Sequence, residues 1–218
     1  ILALSKKESC SMAVLPAKQV GPDRVLARTK FGKGLIEKDF KNPRTGKIED
    51  FGIFDYKGGT VRPSIFMPIT TDGNVVAIRQ FREAANEVIL EFPGGNPKAG
   101  QTAEDVVRAE LKEETGYAVG TIINLAPAKD IWIEPSSFST PMRPFLVTGC
   151  VKVGEQELDE TENIEVELFT LKEWLKMCFD GRVCCGKTLA ITLLALPHLW
   201  HLGFKLELEF RSRSVIPA

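Results

Sequence analysis

Residues 109–117 read AELKEETGY and bring Glu110, Glu113 and Glu114 within two turns of one predicted helix. With Leu111 at 0° on a wheel of ~100° per residue, Val107 falls near −40° and marks the buried side. Glu114, Glu110 and Glu113 then fall near about −60°, −100° and −160°, a single arc beside the apolar face. Arg108 and Lys112 fall near about +60° and +100°, on the other side. Like charges spaced i,i+4 destabilise a solvated helix by ~0.2–0.5 kcal/mol. An acidic arc next to the core without cations is the donor set of a hard divalent ion, Mg²⁺ in the first instance. The competing reading is a solvated acidic face, the usual fate of a charge run.

The residues before the helix sharpen the reading. LEFPGGNPKAGQ, residues 90–101, follows a predicted strand. Two successive glycines allow a sharp turn and close approach of the backbone to a ligand. Gly94 could offer a backbone carbonyl to an ion held by the helix. Strand, glycine loop and acidic helix form one compact unit.

This unit resembles the Nudix hydrolase family, whose signature is G-x5-E-x7-R-E-U-x-E-E-x-G-U, with U a bulky residue. The alignment needs no gap. Gly95 is the first Gly, and Glu110, Leu111, Glu113, Glu114, Gly116 and Tyr117 fill the later positions. Two positions depart from the signature: Gln101 stands at the first Glu and Ala109 at the Arg. Position 109 lies about 40° from Glu113, one turn earlier, so the missing Arg leaves Glu113 less restrained.

AIRQFREAANEVILEFPGG, residues 77–95, is similar to the approach to this box in the ADP-ribose pyrophosphatase branch. The resemblance implies the branch's chemistry: Mg²⁺, or Mn²⁺, held by Gly94, Glu110 and Glu114 with Glu113 in support. Arg82 would contact substrate phosphates, with Gly95 beside it in the substrate site. Pairing of Arg82 with Glu91 is the structural alternative. LDETENIEVELF, residues 158–169, resembles the acidic loop that supplies the base, leaving Glu160 or Glu162 in that role. The activity implied is hydrolysis of a nucleoside diphosphate linked to another group, foremost ADP-ribose to AMP and ribose 5-phosphate. A catalytically weak nucleotide-binding or sensor protein, and a hydrolase of another nucleoside diphosphate sugar, are the alternatives. The implied fold is a Nudix-type α/β/α sandwich with a mixed sheet, plus N-terminal antiparallel strands. Residues 1–60 would hold those strands and mediate a homodimer, residues 61–205 the Nudix domain, and residues 206–218 an unassigned tail.

Two further motifs compete. GRVCCGKT, residues 181–188, satisfies the phosphate-loop pattern G-x-x-x-x-G-K-[ST]. That loop must follow a buried strand, whereas LKEWLKMCFD before it has a helical pattern, so Lys187 is expected in the first turn of a helix. His198 and His201 stand at i,i+3 with no third ligand near, and packing is the expectation for them. Trp132, Trp174 and Trp200 are expected in the core or at an interface.

The elements that must position these residues follow from the patterning. Residues 13–31 are predicted to hold one or two strands, residues 51–56, 61–69, 87–92, 118–126, 142–153 and 163–170 are predicted strands, and Asp72-Gly73 signals a hairpin into a further strand. Residues 41–50 form a turn-rich connection. Thr102 is the predicted N-cap of the acidic helix with Asp105 at N3, and Gly116 suits its C′ position. Residues 171–179 and 187–203 are predicted helices. Strands and helices in no regular βαβ order predict a mixed sheet flanked by helices.

Composition bounds the rest. The chain has 218 residues, 26% charged and 44% hydrophobic, with a net charge of −1. That is the balance of a globular domain and argues against nucleic-acid binding, which calls for a basic excess. The longest apolar stretch, residues 189–200, is too short to span a bilayer. ILALSKKESC at the start has no basic region before its apolar residues and does not read as a signal peptide. Five cysteines without paired spacing predict reduced thiols and a cytoplasmic protein.

Overall fold

The computed structural model describes residues 14–204. The N-terminal ILALSKKESC and the tail at 206–218 lie outside the described residues. In chain order the elements are β1 (Lys18–Arg28), β2 (Lys33–Lys41), β3 (Ile48–Tyr56), β4 (Ser64–Thr70), β5 (Asn74–Arg82), β6 (Glu87–Glu91), β7 (Gly94–Gly95), α1 (Ala103–Thr115), β8 (Tyr117–Ala118), β9 (Thr121–Asn124), β10 (Arg143–Lys152), β11 (Ile164–Thr170), α2 (Leu171–Phe179) and α3 (Gly186–His201). They fall into two compact units, one of residues up to Lys57 together with Ser136–Ser139, the other of the remainder.

The first unit is a three-stranded antiparallel sheet in the order β1-β2-β3. β2 was not among the predicted strands. Its sequence, KGLIEKDFK, places charges where alternation would demand apolar residues, and partners only the fold reveals satisfy them. Arg24 on β1 reaches both Glu37 at 3.2 Å and Asp39 at 2.6 Å, and opposite charges across neighbouring strands stabilise the pair. β3 also starts earlier than expected, at Ile48, so the turn-rich connection narrows to residues 42–47. Buried Asp55 of β3 is held by Arg28 at 3.0 Å and by the Ser139 hydroxyl at 2.8 Å. Phe138 stacks on Phe54 with centroids 5.2 Å apart.

The second unit is built on a mixed sheet in the order β11-β5-β4-β10-β8. β6 pairs with β5, β7 with β4 and β9 with β10. β10 runs parallel to β4, and the other neighbours run antiparallel. All seven residues of β4 are buried, as expected of a strand covered on both faces. Successive side chains point to opposite faces. Ile65, Met67 and Ile69 accordingly pack with Trp174 and Leu175 of α2 and with Ile191, Ala195 and Leu199 of α3. Phe66 packs the other way, with Phe145 and Val147 of β10 against Ala103, Val107 and Leu111 of α1. The result is the layered α/β/α arrangement read from the sequence. Of the three tryptophans, Trp174 is fully buried and donates to the Thr192 hydroxyl at 3.0 Å, while Trp132 and Trp200 are exposed. α3 ends in His198 and His201, of which His201 is exposed.

α1 has the ends its sequence predicts. The Thr102 hydroxyl accepts from the Asp105 amide at 3.1 Å, and the Asp105 carboxylate accepts from the Thr102 amide at 2.9 Å. Gly116 closes the helix at φ 72°, in the left-handed region. A Cβ there would also collide with the Gly154 carbonyl. Gly116→Ala is therefore expected to cost more than the ~1–2 kcal/mol of left-handed strain alone, read as a lower midpoint in urea unfolding.

Candidate active site

Glu110, Glu113 and Glu114 take their places because Val107 and Leu111 are wholly buried against β4 and β10. That packing fixes the rotation of α1. Glu114 is thereby carried beneath the glycine loop, 5% exposed, where its Oε2 accepts from the Gly94 amide at 3.0 Å. Glu110 comes against Gly95, where any Cβ would collide with its carboxylate; one at Gly94 would collide with the Ser64 carbonyl. β7 is thus glycine twice over for lack of room. Glu113 is half-buried and makes no ion pair among the described residues. The cations of α1 face elsewhere, as the wheel requires: Lys112 pairs with Glu157 at 2.7 Å, and Arg108 acts on Asp105.

Burial without neutralisation shows in the protonation of these groups. Burial, then the charges of Glu113 and Glu162, push the Glu110 carboxyl up to about 7. Burial, then the charge of Glu110, push Glu114 up to about 8, although the Gly94 amide acts the other way. Glu162 bears on both groups, whereas Glu160 is exposed and absent from both sets of neighbouring charges. The charge of Glu162 thus bears on the acidic pair.

The loop carrying Glu162 is tied to α1. Gln156 donates one amide hydrogen to the Glu114 carbonyl at 2.6 Å and another to the Ile164 carbonyl at 3.1 Å. The Glu157 amide donates to the Glu113 carbonyl at 2.8 Å. Within the loop, Glu162 accepts from the Asp159 amide at 3.0 Å. Gln156 carried no signal in the sequence, because both of its partners are backbone atoms, one of them 42 residues away.

Arg82 pairs with Glu91 through Nε, which realises the structural alternative, yet its charge also acts on Glu114. Gln101 accepts from the Lys98 amide at 2.8 Å and closes a turn before α1. The GRVCCGKT segment follows α2 rather than a strand, so it is not a phosphate loop.

The donor set fits a divalent ion. Every candidate group is a hard oxygen, and among the described residues neither Glu110 nor Glu114 is in an ion pair, although Lys98 and Arg82 act on them from farther off. Among the described residues no three His, Cys, Asp or Glu side chains already converge at ligand spacing. Glu114 is instead turned onto the Gly94 amide.

Residues 60–182 match the NUDIX domain family. The chain is 31% identical over 171 residues to the ADP-ribose pyrophosphatase of Bacillus subtilis (strain 168), covering 76% of this chain and 88% of that one. It is 28% identical over 175 residues to the GDP-mannose pyrophosphatase of Pectobacterium atrosepticum, covering 68% and 86% respectively. The fold superposes on the crystal structure of an ADP compounds hydrolase with a TM-score of 0.75, at 18% identity over 88% of this chain and 99% of that one.

Raised carboxyl pKa values make a signed prediction. A group that binds protons more tightly when folded contributes stability that is lost as pH rises through its folded pKa. From ordinary values of 4.5, Glu110 and Glu114 rise to about 7 and 8. The melting temperature of metal-free protein is therefore expected to fall between pH 5 and about 8, and Mg²⁺ is expected to restore it most at the alkaline end. A flat metal-free profile in differential scanning calorimetry would contradict the burial of these charges.

Proposed function

The chain belongs to the Nudix hydrolase family, and from that premise we propose that it hydrolyses the diphosphate of ADP-ribose to AMP and ribose 5-phosphate. Another nucleoside diphosphate sugar is the competing substrate, kept in view by the similarity to a GDP-mannose pyrophosphatase. The observation that carries the reading is the burial of Glu110 and Glu114 beside a loop that has no side chains, with the charge of Glu162 acting on both.

Glu110 and Glu114 with the Gly94 carbonyl would hold Mg²⁺ or Mn²⁺, and Glu113 would restrain the ion or one of its ligands. When bound, the ion supplies positive charge that offsets the diphosphate and favours attack at phosphorus. Glu162 takes the proton of the attacking water as general base. Glu160, the other candidate, is exposed. Arg82 has only Nε committed to Glu91 among the described residues, so its terminal nitrogens are free to donate to a phosphate in the charge-assisted geometry that guanidinium favours. Gly95, without a Cβ, lets the Glu110 carboxylate lie against the loop, and its backbone would line the substrate site.

The test is phosphomonoester release from a panel of nucleoside diphosphate sugars with Mg²⁺. ADP-ribose is expected to have the highest kcat/KM. Glu162→Gln is expected to lower kcat by about 10²–10⁴-fold, the usual worth of a general base, with Glu160→Gln within a few-fold of wild type. Equal losses in the two variants would remove Glu162 from the role.

A homodimer is part of the same proposal. Val25, Leu26 and Phe51 on the three-stranded sheet are each about half exposed, apolar surface that association with a second copy would cover. Sedimentation is expected to show a dimer at micromolar concentration; a fully active monomer would rule it out. The four cysteines among the described residues are free, which suits a reducing compartment such as the cytoplasm. Among the described residues no helix is long and apolar enough to cross a membrane.

A further inference from the structure

Glu91 is the last residue of β6, 2% exposed, three residues before the glycine that meets Glu114. A buried carboxylate needs compensation, and three groups converge on this one. Arg82 pairs through Nε with Oε1, the Cys185 thiol donates to Oε2 at 3.5 Å, and the Lys187 ammonium stands 3.8 Å from Oε2. The first turn of α3 is fastened at the same place, because the buried Thr188 hydroxyl accepts from the Phe92 amide at 3.1 Å. The residues that mimic a phosphate loop in the sequence thus have a different place, around the strand that leads into the glycine loop.

Two cations on one carboxylate leave one positive charge in excess. The donors tell the same story. Arg82 commits Nε alone. At 3.8 Å, Lys187 lies beyond hydrogen-bond reach of Glu91, and no other bond holds its ammonium among the described residues. Both side chains are more than a third exposed. Glu91 therefore anchors two cations on one carboxylate, with hydrogen-bond donors to spare, and one of them, Arg82, also acts on Glu114. An ammonium with three free donors is suited to a phosphate oxygen.

We infer that Lys187 is a substrate-binding residue: together with Arg82 it holds the diphosphate, and Glu91 sets the spacing of the two cations. The inference rests on the diphosphate reading above, but binding tests it without turnover. The probe is ADP with Mg²⁺, titrated calorimetrically into wild type, Lys187→Met, Lys187→Arg, Glu91→Gln and the double variant Glu91→Gln/Lys187→Met. Lys187→Met is expected to weaken ADP about tenfold or more and to leave adenosine unchanged. Lys187→Arg is expected to recover most of the loss. The Glu91→Gln background separates the two possible roles. If Lys187 touches the ligand, its removal weakens ADP there too. If it only neutralises Glu91, its removal has no effect once that charge is gone, and the inference fails. It fails also if wild type does not bind ADP, or if Lys187→Met binds ADP as wild type does. The double variant leaves no unpaired buried carboxylate, so the comparison survives even where Lys187→Met alone melts early. Lys187-dependent ADP binding in a protein that hydrolyses none of the sugars would keep this inference and sink the hydrolytic one.

Discussion

Glu110 and Glu114 stand one helical turn apart with their carboxyl groups largely out of water, and Glu110 drives up the proton affinity of Glu114. Left to itself this repulsion would turn α1 or push its side chains outward. It does neither, because Val107 and Leu111 lock the other part of the helix into an apolar pocket with Phe66, Phe145 and Val147. Burying a few large apolar side chains contributes ~1.5–3 kcal/mol each, enough to hold an unfavourable electrostatic arrangement in place. The glycine loop answers the same constraint from the opposite side: it offers a backbone donor to Glu114 and no atoms in the way of Glu110.

Charge is arranged around this centre by sign. The acidic groups come from α1 and from the loop before β11, and Gln156 and the Glu157 amide hold that loop to the helix. The cations come from β5 and α3 and are gathered on Glu91 at the end of β6. Each set is held by backbone or by a buried partner rather than by a ligand, and Arg82, whose charge acts on Glu114, links the two. Such preorganisation is what lets polar groups act on a substrate without first rearranging.

Much of this was legible in the sequence, for identifiable reasons. α1 could be read end to end because its cap, its apolar stripe and its terminal glycine are all local signals, and Thr102, Leu111 and Gly116 behave as their types dictate. The glycine loop was readable because two successive glycines ahead of an acidic helix have few other uses. What stayed hidden depends on partners far along the chain. β2 reads as a charged segment until Arg24 is placed beside Glu37 and Asp39. Gln156 is one polar loop residue among many until its two carbonyl partners are known. Lys187 belonged to a misleading motif, and only the position of α3 shows which carboxylate it meets. The choice between Glu160 and Glu162 is of the same kind, since a two-residue spacing in a loop carries no direction.

The parallel pairing of β4 with β10 has a kinetic side. β4 joins β5 through a short hairpin, a local contact that forms readily. Its other edge waits for a strand that begins at Arg143, opposite Ser64, and non-local pairings of this kind are slow because a long loop must close before any contact rewards it. Until β10 arrives, α1 has Phe66 to rest on but neither Phe145 nor Val147. A nascent chain that has already made the acidic helix cannot yet dock it. During that interval Glu110 and Glu114 remain in water, where their mutual repulsion is weak, and the electrostatic conflict of the finished protein arises only with the last strand that completes its floor.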